Sequence, residues 1–290
     1  MACRSRVCPA HCETRVDFFK TYWVRLVKRL TLFVKGNVDV RDSLHFCRIG
    51  GELVWNGINE VLRERRLKSL VRIKHETWTR SDALLECAGT VPEAFTGHDL
   101  PLGPYSLASQ FSNAIFTAPC DAVILTIQPD VTMSLMRHRR DGFLFYPIGA
   151  ETWPAGDRAW LQSNYEASGL LGVDAAMNNL AAIVARIRER SEVPILIYNL
   201  SPIIPGDQIH CYAGLGETFA SRIRKFNLAL EELSENSGIS IIDVDTIVAR
   251  HGADALKLDA VHLKPQGYSL VAREVVRVLD DLGVLDTAIQ

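Results

Sequence analysis

The sequence predicts an α/β protein in which a parallel sheet is covered by helices on both faces, a three-layer αβα sandwich. Two observations carry this. Short β-type runs alternate with longer stretches whose apolar residues keep a 3.6-residue period. The β-type runs are also mostly apolar without alternation, as strands buried on both faces require, and each closes on polar residues or a turn signal.

Taken in order, Val16, Phe19, Trp23, Leu26, Val27 and Leu30 recur at helical spacing, which predicts an amphipathic helix from Val16 to Leu30. Strands are expected at Leu32–Lys35, Leu70–Lys74, Ala122–Ile127, Pro194–Asn199 and Ile239–Val244. Of these, only the run from Leu70 is not mostly apolar. Helices are expected at Leu44–Arg66, Val173–Arg190, Phe219–Ser237 and Gly267–Leu282, the last with Pro265 just ahead of it. The segment 130–172, rich in Trp, Tyr, Gly and Pro, reads as an insertion over the carboxyl edge of the sheet. With no internal repeat, low-complexity tract or Pro/Ser linker, residues 16–290 are expected to form a single domain behind a disordered Cys-containing tail, residues 1–15.

Composition excludes several functions. Of 290 residues, 48% are apolar and 23% charged, enough for a sizeable core. Lys and Arg number 32 against 34 Asp and Glu, a net charge of -2, so no excess positive field is available to hold nucleic acid or an anionic membrane. No apolar run approaches the ~18 residues a membrane span needs, and the start lacks the apolar core of a secretory signal. Seven cysteines, an odd number, suit free thiols in a reducing compartment, so a cytoplasmic location is expected. Cys3, Cys8, His11 and Cys12 have the chemistry of a zinc cluster but no second pair at knuckle spacing downstream, which favours a tail over a metal site. Phosphate-loop, dinucleotide, zinc-protease and G-x-S-x-G signatures are absent, and no cofactor is implied.

In an open parallel sheet the ligand site lies beyond the carboxyl ends of the strands. The strongest constellation there is LKLDAVHLKPQGY, residues 256–268, where Asp259 and His262 stand three apart just before the final helix. That spacing lets a carboxylate orient an imidazole and stabilise it once protonated, the arrangement of a general base with its orienter. The competing reading is a surface histidine beside an incidental carboxylate.

This tract resembles the last block of the SGNH (GDSL-type) hydrolase superfamily, whose Asp-x-x-His precedes a C-terminal helix. The resemblance extends through VPILIYNLSPIIPGD, the helix containing Arg224 to Leu233, and ISIIDVDTIVARHGADALKLD, and covers the chain from about Leu32 onward. It implies a five-stranded, flavodoxin-like parallel sheet, a serine nucleophile, and cofactor-free ester or acyl-transfer chemistry on a small molecule. Asp259 and His262 fall on the catalytic Asp and His of the family.

Elsewhere the chain departs from the pattern. The first strand leads not into Gly-Asp-Ser but into Gly36, Asn37 and Val38, and valine cannot be a nucleophile. The next hydroxyl, Ser43 in DVRDSLH, is the candidate nucleophile if it opens the following helix, or an ordinary helix cap if it does not. Its Oγ is then expected to face His262. Where the family has Gly-x-Asn-Asp, DAVILTIQPD supplies Gln128, Pro129 and Asp130, leaving Asn37 and Gln128 as amide donors for an oxyanion. After the second strand, His75, Glu76, Trp78 and Arg80 are placed at the pocket mouth, with His75 and Arg80 as substrate contacts; salt bridging around a core tryptophan is the plainer alternative. The run Arg137 to Arg140 favours a solvated face, and Cys120 and Cys211 favour inert thiols. The expected function is a serine hydrolase or acyltransferase acting on an ester or acyl group of a small polar molecule. The rivals are a ligand-binding or biosynthetic protein that keeps the fold without the nucleophile, and an enzyme that retains His262 as base without a serine, with Asp39, Glu76 or Arg80 in new roles.

Overall fold

The computed structural model describes residues 27–285. The Cys3, Cys8, His11 and Cys12 group, the tail 1–15 and residues 16–26 of the expected first helix lie outside the described residues. In chain order the elements are β1 (Lys28–Lys35), α1 (Val38–Leu44), β2 (Cys47–Ile49), β3 (Glu52–Trp55), α2 (Ile58–Glu64), β4 (Ser69–Glu76), α3 (Ser81–Glu86), α4 (Leu107–Gln110) and β5 (Ala122–Thr126). They continue with α5 (Gln128–Thr132), β6 (Met136–His138), β7 (Leu144–Phe145), α6 (Ala155–Asn164), β8 (Tyr165–Ala167), α7 (Val173–Arg188) and β9 (Ile195–Tyr198). The last are α8 (Phe219–Ser237), β10 (Ser240–Ile242), α9 (Val244–His251), α10 (Ala253–Leu256) and α11 (Pro265–Asp281).

Five strands form one parallel sheet in the order β10, β9, β5, β1, β4. Strand chemistry sets its two faces. Leu30, Leu32 and Val34 of β1 point into a core completed by Val40 and Leu44 of α1, Ile58, Val61 and Leu62 of α2, and Val271, Val275 and Leu279 of α11. Phe33, between them, points the other way, into a core with Leu84 of α3, Leu180 and Ile183 of α7, and Phe226 and Leu230 of α8. The chain runs from β1 outward to β4 and then crosses to β5 on the other side of β1. The strand order therefore reverses between β1 and β5, at whose carboxyl ends a ligand crevice is expected.

Several expected boundaries change. β5, β9 and β10 sit inside their predicted runs, whereas β1 begins at Lys28, so the predicted helix does not reach Leu30. Lys28 to Leu30 pair instead with Ser69 to Val71, which buries Leu30 in the sheet. The helix expected over Leu44–Arg66 is interrupted by an antiparallel hairpin in which Ile49 faces Glu52. Gly50 and Gly51, at φ 59° and 88°, make its two-residue turn, a backbone that a helix cannot contain. Gly57 then turns the chain into α2 at φ 81°, where a Cβ would collide with the carbonyls of Leu44 and His45.

After β5 the chain builds a small antiparallel sheet in the order β7, β6, β8, packed around Phe95, Phe111, Phe145, Trp153 and Tyr165. Its basic run is mostly a surface face: Arg137, Arg139 and Arg140 pair with Glu86, Glu166 and Asp141. His138 departs from that expectation, being buried and stacked on Phe143 with ring centroids 4.8 Å apart. No helix among the described residues is long and apolar enough to cross a membrane.

Asp130 joins α5 to α3. Its Oδ1 accepts the Ser81 N–H at 2.7 Å, while its buried Oδ2 has no partner among the described residues. Burial, against the Ser81 hydrogen bonds, pushes its pKa from 3.8 up to about 7. The folded state thus holds a proton that the unfolded chain has released, so this carboxyl costs stability as pH rises from about 4 to about 7. Asp130→Asn is expected to remove that loss, on the order of a few kcal/mol at pH 8. Melting curves of both proteins across this range check it: wild type falls relative to the variant.

Candidate active site

At the switch point Asn37 ends the loop after β1, and its side chain reaches across to the start of α5. Its Nδ2 donates to Gln128 Oε1 at 2.9 Å, and its Oδ1 accepts the Trp78 N–H at 3.3 Å. Gln128 Nε2 donates to Thr132 Oγ1 at 2.7 Å. The two amides are thus neighbours, and each has a second N–H beyond these bonds. Beside them Thr126 Oγ1 donates to Asp39 Oδ2 at 2.7 Å, a pairing between the first turn of α1 and the end of β5.

Asp259 and His262 occupy the turn between α10 and α11. Asp259 Oδ1 accepts the N–H groups of Val261 and His262, each at 2.8 Å, and Oδ2 meets His262 Nδ1 at 2.7 Å. A carboxylate only accepts, so Nδ1 carries the proton and Nε2 is the basic nitrogen. Nε2 has no protein hydrogen bond among the described residues, and the imidazole is 45% exposed. Partial burial would raise the Asp259 pKa, but the two backbone N–H bonds and His262 outweigh it and hold the carboxyl below its ordinary range. The turn is anchored by Lys257, a buried side chain that donates to the carbonyls of Ser201 at 2.9 Å and Ile203 at 2.6 Å. Desolvation, opposed by Asp245 and Asp259, lowers the Lys257 pKa to about 8.

A cleft of about 230 Å³ is lined by Asn37, Val38, Arg41, His75, Glu76 and Tyr105. His75 meets the Gly36 carbonyl at 2.8 Å. A carbonyl cannot donate, so Nε2 carries the hydrogen and Nδ1 remains an acceptor. Burial, opposed by the Gly36 bond, lowers the His75 pKa and favours this neutral form. Glu76 is tied to the buried Lys35 at 3.1 Å.

Two expected placements are corrected. Ser43 does not open a helix; it lies near the end of α1, fully buried. Its hydroxyl meets the Val40 carbonyl at 3.0 Å and the Tyr198 hydroxyl at 3.1 Å. The single Ser43 hydrogen goes to the carbonyl, so Tyr198 donates and the serine oxygen is held on both sides. It faces the core, because α1 begins directly at Val38 and turns Ser43 inward beside Val40 and Leu44. Arg80 is not at a pocket mouth either. It is 2% exposed, and its N–H groups reach both Asp82 oxygens, the carbonyls of Met133 and Gly169, and Ser168 Oγ. Such a guanidinium has no donor left for a substrate. Trp78 is likewise buried in the core.

Sequence reasoning gave no role to Lys257, Arg41 or Tyr105. Lys257 stands inside the quoted tract, but nothing in a lone lysine signals burial. Tyr105 comes from an irregular stretch without periodicity. No three His, Cys, Asp or Glu side chains converge as metal ligands among the described residues.

No protein-family model matches the chain, and no curated protein matches it. Among solved structures it is similar to the lipase/acylhydrolase from Enterococcus faecalis, with TM-score 0.48 and 10% identity over 91% of this chain and 100% of that one. It is also similar to Axe2, an acetylxylan esterase from Geobacillus stearothermophilus, with TM-score 0.48 and 12% identity over 87% and 95%. A member of the lipolytic G-D-S-L family from Veillonella parvula gives TM-score 0.45 and 13% identity over 86% and 98%. These are likenesses at low identity.

Proposed function

We propose that the protein hydrolyses esters of small polar molecules with the Asp259–His262 pair activating water directly, without a serine acyl-enzyme. The observation that carries this reading is the 2.7 Å bond from His262 Nδ1 to Asp259, which leaves Nε2 of a half-exposed imidazole as the basic nitrogen, without a hydrogen bond among the described residues. As a water oxygen bonds to the substrate carbonyl carbon, Nε2 takes its proton, and Asp259 stabilises the imidazolium. The carbonyl electron pair moves to oxygen, where the spare N–H groups of Asn37 and Gln128 supply donors. Collapse expels the alkoxide, which takes the proton back from Nε2. An alcohol or amine in place of water gives acyl transfer through the same steps. Val38 at the position where the resemblance expects a nucleophile also favours the rival, a binding protein without chemistry.

Exposure to a fluorophosphonate, followed by intact-mass measurement, tests the absence of an activated serine. The folded protein is expected to carry no adduct at Ser43, since its oxygen is buried and bonded twice. Ser43→Ala is expected to lose about 1–2 kcal/mol of stability, because Tyr198 loses its acceptor, and to keep its hydrolytic rate. A stoichiometric adduct at Ser43 would restore the serine mechanism.

A further inference from the structure

Asp39 is half-buried, and the proposed reaction does not use its carboxyl. Oδ2 is held by Thr126, but Oδ1 has under 1 Å² of accessible surface and no hydrogen-bond partner among the described residues. An orphaned carboxylate oxygen is costly in a folded protein, and its position calls for a reason. It borders a cavity of about 10 Å³, room for about one water, shared with Tyr198, Asn199, Val261 and Leu263. Val261 and Leu263 flank His262 in the chain, so one wall of this cavity is the turn that carries the base. The His262 charge favours the ionised form of this carboxyl, though less than its hydrogen bond to Thr126 does.

We propose that Asp39 is a positioning residue for His262, a second carboxylate besides Asp259 whose charge stabilises the imidazolium as it forms. This rests on the reading of His262 as the base. Burial raises the Asp39 pKa, opposed in part by the Thr126 hydrogen bond, so the carboxyl ionises above the ordinary range. The other titratable groups that feel its charge are Tyr105, Tyr198 and Tyr268, each pushed by burial toward the neutral form. Among the described residues, His262 is a neighbour whose positive charge answers that of Asp39. Ionised Asp39 supports the reaction and protonated Asp39 does not, so turnover climbs as this group loses its proton.

Two readouts test this on the full chain. The first is the titration of Asp39 followed by NMR of carboxyl-labelled aspartate, assigned with Asp39→Asn. In His262→Ala the Asp39 midpoint is expected to move to higher pH, since the neighbouring positive charge is gone; in Ser43→Ala it stays. An unmoved midpoint in His262→Ala overturns the proposal. The second is the pH profile of 4-nitrophenyl acetate hydrolysis. Asp39→Asn is expected to lower kcat about tenfold, with KM unchanged and the Asp39 ionisation missing from the profile. Thr126→Val, which keeps the carboxyl but removes its hydroxyl partner, retains that ionisation at a shifted pH. If Asp39→Asn hydrolyses like wild type while His262→Ala is inactive, the base stands and the role of Asp39 falls. If the Asp39 midpoint moves but His262→Ala hydrolyses like wild type, the electrostatic coupling stands and the reading of the base falls.

Discussion

His262→Ala is expected to lower the rate of small-ester hydrolysis by about 10² to 10⁴, the range a positioned general base contributes. Its effect on folding is expected to be small, because the imidazole is half exposed and its ring hydrogen bond is to the equally exposed Asp259. A loss of rate at an unchanged melting temperature separates chemistry from collapse. Initial rates on 4-nitrophenyl acetate, with melting curves of the same samples, make the comparison. A binding protein without chemistry would show no enzymatic rate to lose.

The largest stability effect is expected at Arg80. Arg80→Ala strips the Asp82 carboxylate of its bidentate partner and leaves the carbonyls of Met133 and Gly169 without these donors. Breaking a buried pair from one side costs about 3–5 kcal/mol. The segment tied down by Arg80 runs from the end of α5 to the approach to α7, so the small β6, β7, β8 sheet is expected to loosen first. Urea unfolding measures the total loss, and hydrogen exchange of residues 133–169 its location. Arg80→Lys recovers only part of it, since one ammonium cannot span the same acceptors. Unchanged stability in Arg80→Ala would restore this side chain as a candidate ligand contact.

The parallel sheet was legible because buried strands such as AVILT and ILIY have almost no alternative reading, and α8 and α11 were legible from their periodic apolar faces. The hairpin of β2 and β3 was hidden by its apolar residues, whose spacing also fits a helix; the Gly50–Gly51 pair was the signal that should have weighed more. The geometry of Asp259 and His262 was legible because it is local, three residues apart in one turn. Ser43 and Arg80 were misplaced for the opposite reason. Whether a side chain at those positions faces the cleft or the core depends on where α1 starts and on what packs over α3, and both are set by tertiary contacts that spacing does not encode. Asp39 acquires its environment from Thr126, 87 residues away.

The measurement that bears most directly on the central claim is the rate of 4-nitrophenyl acetate hydrolysis by wild type, Ser43→Ala and His262→Ala under one set of conditions. The account expects Ser43→Ala to keep the wild-type rate to within about threefold and His262→Ala to lose at least about 100-fold. Loss of the rate in Ser43→Ala, with the variant still folded, would contradict it and return the nucleophile to the serine.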